Sequence, residues 1–348
     1  MRVSIVVAAH NEGAWLWRTI SSCVETCSHL DYEIVVADDA SFDGSMEEAK
    51  RRFSQIRVVR RDTREGASPT KALGAEHARG EVLVFLDGHT KPEYGAVACL
   101  VEDVEHLNGS AIVIPQIPVL DAPRWKNDFK QAGHGYFLNL ASFACGWRDL
   151  SKLRGVQHGR KQFYESPALI GCALAVHREL YDKLWGFDRH MRLWGVEDLD
   201  FGLKCWLMGS RILHDPQAVI GHRFRTAFDN FSAPLEHVVA NQCGWLGRTL
   251  PKPPGPTGWS VVGSVTQHGS PSIRKAFGHM SGNCSRPTGQ APNRSGPTCM
   301  PIALAMSSGM PSALASRGRG WKPRVSPVRL SACFKPRQAP ARRQNTAD

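Results

Sequence analysis

Glu81-Val82-Leu83-Val84-Phe85-Leu86-Asp87-Gly88-His89 is the stretch that decides the fold. Its uninterrupted apolar run, rich in β-branched and aromatic side chains, reads as a strand buried on both faces, the pattern of a parallel sheet. The run stops at Asp87. Residues i and i+2 of an extended segment point the same way, so a carboxylate and an imidazole project together from the strand end, with Gly88 between them.

Working upstream, Val3–Ala8 and Tyr32–Ala37 are two more buried strands, and Ile56–Val59 is another. Ala14–Ser28 reads as a helix with Leu16, Ile20, Cys23 and Val24 on one face. Ser41-Phe42-Asp43-Gly44 is turn chemistry, and Met46–Phe53 is helical. Ser68 is expected to cap a helix that has Pro69 at its first position and runs to about Ala78. Strand and helix alternate throughout, so the fold class is α/β: a mostly parallel, doubly wound central sheet with helices on both faces. Such sheets bind ligands at the carboxyl ends of their strands. His10-Asn11-Glu12, Asp38-Asp39 and Asp87-Gly88-His89 all fall there.

Downstream, Ala111–Pro115 is a strand, and residues 116–165 read as irregular, with Trp125 and Trp147 as candidates to close over a ligand. Ala168–Val176 is a strand, Arg178–Leu184 and Val196–Met208 are helices, and Ser210–His214 is short and extended.

The 348 residues carry a net charge of +11, but all of the excess lies at one end. Residues 251–348 hold 14 Lys and Arg and a single acid, Asp348, together with 14 of the 22 prolines. The first 250 residues carry a balance of −2. The basic character is therefore no footprint on a fold, and no nucleic-acid partner is expected. We expect a catalytic domain over 1–242 and a disordered basic Pro/Gly/Ser-rich tail over 243–348, to which a shifted reading frame is an alternative. Ten cysteines include no CxxC pair, which suits reduced thiols in a cytoplasmic protein. The apolar run Val3–Ala9 is too short for a signal segment, and no transmembrane segment is expected.

Three groups of residues carry chemistry. Asp87 and His89 form a mixed O/N pair suited to a divalent cation, although a polar turn reads the same way. Ile220-Gly221-His222-Arg223-Phe224-Arg225 adds a distant His222 flanked by arginines. Leu193-Trp194-Gly195-Val196-Glu197-Asp198 places paired carboxylates at a helix start. The dipole favours them there, and adjacent carboxylates can divide acceptor binding from proton removal. Asp38-Asp39 and Arg64 are candidates to hold a nucleotide.

In this order the pieces resemble the family 2 glycosyltransferases of the GT-A fold over about residues 1–240. The Asp-x-His form, Arg64-Glu65-Gly66 and Gly221-His222-x-Phe224-Arg225 look most like the polypeptide N-acetylgalactosaminyltransferases. Gly171-Cys172-Ala173 through Trp194-Gly195-Val196-Glu197-Asp198 resembles the C-terminal catalytic segment of the β-1,4-galactosyltransferases. The resemblance implies a glycosyltransferase that uses a nucleotide-sugar donor, such as a UDP-sugar, and a divalent metal, manganese or magnesium. It implies Asp87, His89 and His222 as metal ligands. It places Ala8, His10, Glu12, Asp39, Arg64 and Trp194 around the nucleotide-sugar, and Glu197 and Asp198 on the acceptor side. Where the N-acetylgalactosaminyltransferases, which retain configuration, carry Gly-Gly-Glu-Asn, this chain has Gly195-Val196-Glu197-Asp198. The Glu-Asp form implies inversion with Asp198 as base. The expected acceptor is a cell-surface polysaccharide, a glycolipid or a small metabolite. An inactive or truncated nucleotide-binding relative is the alternative. A nucleotidyltransferase on a similar fold is a third reading, which the missing Gly-rich triphosphate loop disfavours.

Overall fold

The structure, a computed structural model, describes residues 2–139, 144–225 and 233–249, and three short strands beyond them. The first half alternates as the sequence predicts: β1 (Val3–Ala9), α1 (Ala14–Cys27), β2 (Tyr32–Asp38), α2 (Ser45–Arg52), β3 (Ile56–Arg60), α3 (Ala67–His77) and β4 (Val82–Asp87). A short β5 (Thr90–Pro92) and α4 (Ala96–His106) follow. β3, β2, β1 and β4 lie side by side and parallel. In β1, β2 and β4 the Val, Ile, Leu and Phe side chains are buried from both faces, as a covered parallel sheet requires, whereas those of the edge strand β3 are half-buried. Ala9 stands opposite Asp38, and Ala8 opposite Asp87. The three polar strand ends are thus brought into one row.

α3 begins differently from the expectation. Gly66 precedes its first turn at φ 111°, and Ser68 makes no cap; its hydroxyl donates instead to the Asp188 carbonyl at 2.7 Å. The helix lies very close to the sheet, because a Cβ at Gly74 would stand 2.3 Å from Val6 Cγ1. Gly74→Ala is therefore expected to destabilise the fold by roughly 1–3 kcal/mol through overpacking, read as a lowered denaturant midpoint.

Beyond α4 the chain is more regular than its composition suggests. Ala111–Asp121 forms one long strand, β6. The segment expected to be irregular contains β7 (Lys126–Gly133), β8 (Gly135–Asn139), β9 (Ala144–Arg148), β10 (Arg154–His158) and β11 (Lys161–Glu165). β12 (Ala173–His177) starts later than expected and runs antiparallel between β4 and β6. The reason is topological. The chain leaves β6 at the carboxyl end of the parallel strands and returns at that same end, so the next strand must run the other way. After α5 (Arg178–Lys183) and α6 (Glu197–Leu207), β13 (Arg211–His222) is far longer than the short extended segment expected. It runs parallel to β6, shifts register between Asp215 and Val219, and pairs its last residues with β5.

α7 (Leu235–Thr249) crosses the boundary drawn at residue 242. The rest of the expected tail lies outside the described residues, except for β14 (Val262–Ser264), β15 (Cys299–Leu304) and β16 (Val328–Cys333). These form a small antiparallel sheet of their own. Among the described residues, no helix is long and apolar enough to cross a membrane.

Candidate active site

The carboxyl ends of β1, β2 and β4 form the floor of the site. β13 supplies the wall: its last residue, His222, pairs with Thr90, directly after His89. Residues 133 positions apart thereby converge. His222 Nε2 stands 3.1 Å from His89 Nε2 and 3.6 Å from Asp87 Oδ2.

Glu12 orients the His89 ring: its carboxylate lies 3.0 Å from Nδ1, beside Arg225 Nη2 at 3.3 Å, and Nε2 is left toward His222. Two octahedral ligands at right angles, each about 2.1 Å from a metal, stand ~3 Å apart. The Nε2–Nε2 separation and the O/N/N donor set thus fit a divalent cation held by Asp87, His89 and His222. Burial alone would lift the Asp87 carboxyl. The Lys71 ammonium and the His222 hydrogen bond outweigh it and hold the group well below the carboxylate range. The His222 imidazole is pushed down to about 4, chiefly by burial, and so is neutral at physiological pH, the form a cation would need.

Glu12, expected beside the donor, sits behind the metal residues. Its Oε1 accepts from Arg225 Nη2 at 2.6 Å. Burial pushes this carboxyl up, but His89 and Arg225 more than reverse the effect. Ala8 offers its carbonyl to the Gly88 amide at 2.9 Å, which fixes the strand end. His10 Nδ1 donates to the Asp39 carbonyl at 2.6 Å, and its ring meets Phe42 edge-on.

Asp39 is 3% exposed. Its two oxygens accept from the amides of Glu65 and Gly66 at 2.7 and 2.8 Å. This clamp sets the loop that carries Arg64, whose guanidinium pKa is lowered by burial and by Arg225 against the pull of Asp39. Carboxylate oxygens keep further lone pairs for a ligand. The clamped loop continues into a strap: the Leu193 amide donates to Glu65 O at 2.7 Å, and the Ala67 amide to Leu193 O at 3.0 Å. A Cβ at Gly66 would stand 2.2 Å from that carbonyl, so only glycine allows the approach.

The strap leads into Trp194, which is 42% exposed. α7 pins it from outside, where Asn241 Nδ2 donates to the carbonyls of Arg192 and Trp194 at 2.7 and 3.2 Å. Val196 is then held at φ 61° just before α6. For a β-branched residue that costs about 1–3 kcal/mol, and it directs Glu197 and Asp198 inward. Asp198 Oδ2 accepts from the Gly171 amide at 3.1 Å, and Oδ1 from the Leu199 amide at 2.8 Å. Its carboxyl is raised to about 7 by burial and by the neighbouring Glu197, against the Lys71 charge.

Lys71 was not foreseen. Its side chain lies on the small-residue stripe of α3 and reaches Asp87 Oδ1 at 3.4 Å and Glu197 Oε1 at 3.6 Å. Asn241 was also missed, and Arg225, singled out beside His222, was not foreseen as the partner of Glu12. The one sequence signal for Lys71 is a cation among Ala, Gly and Thr on a helix face that must pack closely.

The two tryptophans expected to cover the site are packing elements here. Trp125 stacks on Trp15 and donates to Ser22 Oγ at 3.0 Å, and Trp147 packs on Tyr136 and Phe224. A second cluster, Cys99, Asp103 and Asp215, is filled by the Lys161 ammonium, 2.8 Å from Asp215 Oδ2 and hydrogen-bonded to Asp103.

The family model described as "Glycosyl transferase family 2" matches residues 4–185, and one described as "N-terminal domain of galactosyltransferase" matches residues 157–226. Polypeptide N-acetylgalactosaminyltransferase 12 of Mus musculus is 32% identical over 240 residues, covering 64% of this chain and 40% of its own length. Polypeptide N-acetylgalactosaminyltransferase 3 of Taeniopygia guttata is 30% identical over 235 residues, covering 64% and 38%. The chain thus spans about two fifths of the length of these curated relatives. The crystal structure of GalNAc-T7 with UDP, GalNAc and Mn2+ superposes with a TM-score of 0.55 at 26% identity, covering 64% of this chain and 43% of that one.

Proposed function

The chain belongs to glycosyl transferase family 2, and from that premise we propose that it moves a sugar from a UDP-sugar to an acceptor hydroxyl with a divalent cation, manganese or magnesium, held by Asp87, His89 and His222. The observation that carries the reading is the convergence of these three side chains at the strand ends, beside a pair of acidic residues at the start of α6. UDP and Mn2+ are named with the similar solved structure. A dication bound there would neutralise the diphosphate as the sugar–phosphate bond breaks.

The chain's own residues divide the remaining work. His10, Asp39 and Arg64 surround the nucleotide. Trp194 packs against the donor sugar. Asp198 removes the acceptor proton while the hydroxyl attacks from the face opposite the leaving group, which inverts the anomeric centre. A carboxyl raised to about 7 suits a base working near neutrality. Glu197, 3.6 Å from Lys71, orients the acceptor. We place the acceptor among cell-surface polysaccharides, glycolipids and small metabolites. We assign the protein to the cytoplasm, where reduced cysteines are the rule.

Calorimetric titration of UDP into the full chain tests the reading. Binding that appears only with Mn2+ is the expected result; metal-independent binding, or none by a folded sample, overturns it.

A further inference from the structure

Lys71 is 1% exposed, and its Nζ lies between Asp87, Glu197 and the Gly171 carbonyl. An ammonium has three donor positions. One is spent on the Gly171 carbonyl at 2.8 Å. The other two face Asp87 Oδ1 at 3.4 Å and Glu197 Oε1 at 3.6 Å, too long for strong hydrogen bonds and short enough for ion pairing. One buried cation is therefore shared between a metal ligand and an acceptor-side carboxylate. The sharing also sorts the oxygens of Asp87. Oδ1 is turned to Lys71, and Oδ2 is left toward His222 and the cation position.

We propose that Lys71 is a positioning residue that couples the metal site to the acceptor-side carboxylate of Glu197, a role that rests on the function proposed above. Its ammonium fixes which Asp87 oxygen faces the cation and holds Glu197 at a set distance from it. Metal binding at Oδ2 draws on the Asp87 charge, which leaves Lys71 more strongly engaged with Glu197. A change at Glu197 is felt in turn at the metal, although Glu197 is not a ligand. The close seat of α3 on β1, allowed by Gly74, is what brings a helix side chain to this point.

The test reads Mn2+ affinity of the full chain by the free-Mn2+ paramagnetic resonance signal, with UDP present. Lys71→Met is expected to weaken binding about 10–100-fold, as loss of an outer partner of a ligand does. Lys71→Arg, which keeps the charge, should recover part of it. Glu197→Gln should weaken Mn2+ binding about fivefold or more, and should add nothing in the Lys71→Met background. Circular dichroism reports whether each variant is folded. A folded Lys71→Met protein with wild-type Mn2+ affinity overturns the proposal. Should that variant not fold, wild-type Mn2+ affinity in Glu197→Gln overturns it. Failure of the wild-type chain to bind Mn2+ with UDP would instead remove the functional reading beneath it.

Discussion

Asp198→Asn is expected to leave Mn2+-dependent UDP binding intact and to lower sugar transfer about 10²–10⁴-fold, the range for losing a positioned general base. Asparagine keeps the carbonyl-type oxygen that accepts from the Gly171 or Leu199 amide, so the start of α6 should hold. Wild-type activity carries its own mark. With the Asp198 carboxyl raised to about 7, the catalytic form is the deprotonated one, so the rate should climb as pH rises through that value and flatten above it. The variant should lose this limb. Measuring kcat and UDP affinity separately decides the matter: loss of UDP binding would make Asp198 a donor-side or structural residue.

Asp87→Asn should have the second large effect. It removes the anionic oxygen that faces His222 Nε2 at 3.6 Å. Mn2+ affinity should fall by more than about 100-fold, beyond the range for outer partners of ligands. UDP binding should lose its metal dependence, and turnover should vanish. Calorimetry with and without Mn2+ reads all three. Normal metal-dependent binding would move the cation away from this triad. The folded charge state predicts a further sign. The Asp87 carboxyl is held well below its ordinary value, chiefly by Lys71 against burial. Its stabilising contribution is present above the ordinary carboxylate pKa and is lost as pH falls toward the depressed folded value.

Much of this was legible in the residues. The runs around Ile5, Val35 and Phe85 are unbroken, so burial on both faces follows from composition alone. Polar residues at the ends of those runs mark the site because a parallel sheet puts such ends in a row. Strand direction is another matter. β12 reads as a strand from Ala173-Leu174-Ala175-Val176, but its reversed sense depends on where the preceding excursion returns. β7 and β10 escaped because their faces are neither consistently buried nor consistently exposed, so no period of two stands out. His222 could be offered as a third ligand beside Asp87 and His89 from its arginine-flanked setting, but nothing in the spacing ties it to His89, and the full set came from resemblance. Lys71 was hidden because a helix side chain's neighbours depend on how close the helix lies to the sheet.

The strap from Asp39 through Gly66 to Leu193 has a consequence for anyone redesigning this protein. Asp39, proposed above to lie at the nucleotide, also holds, through two amides and one backbone bridge, the segment that presents Trp194. On the roles proposed above, choice of the donor's nucleotide and choice of its sugar are therefore not separate dials. A library that varies position 39 alone is expected mostly to slacken the seat of the donor sugar at Trp194. Selecting a new nucleotide calls for positions 39, 65, 193 and 194 to be varied together, with Gly66 left untouched.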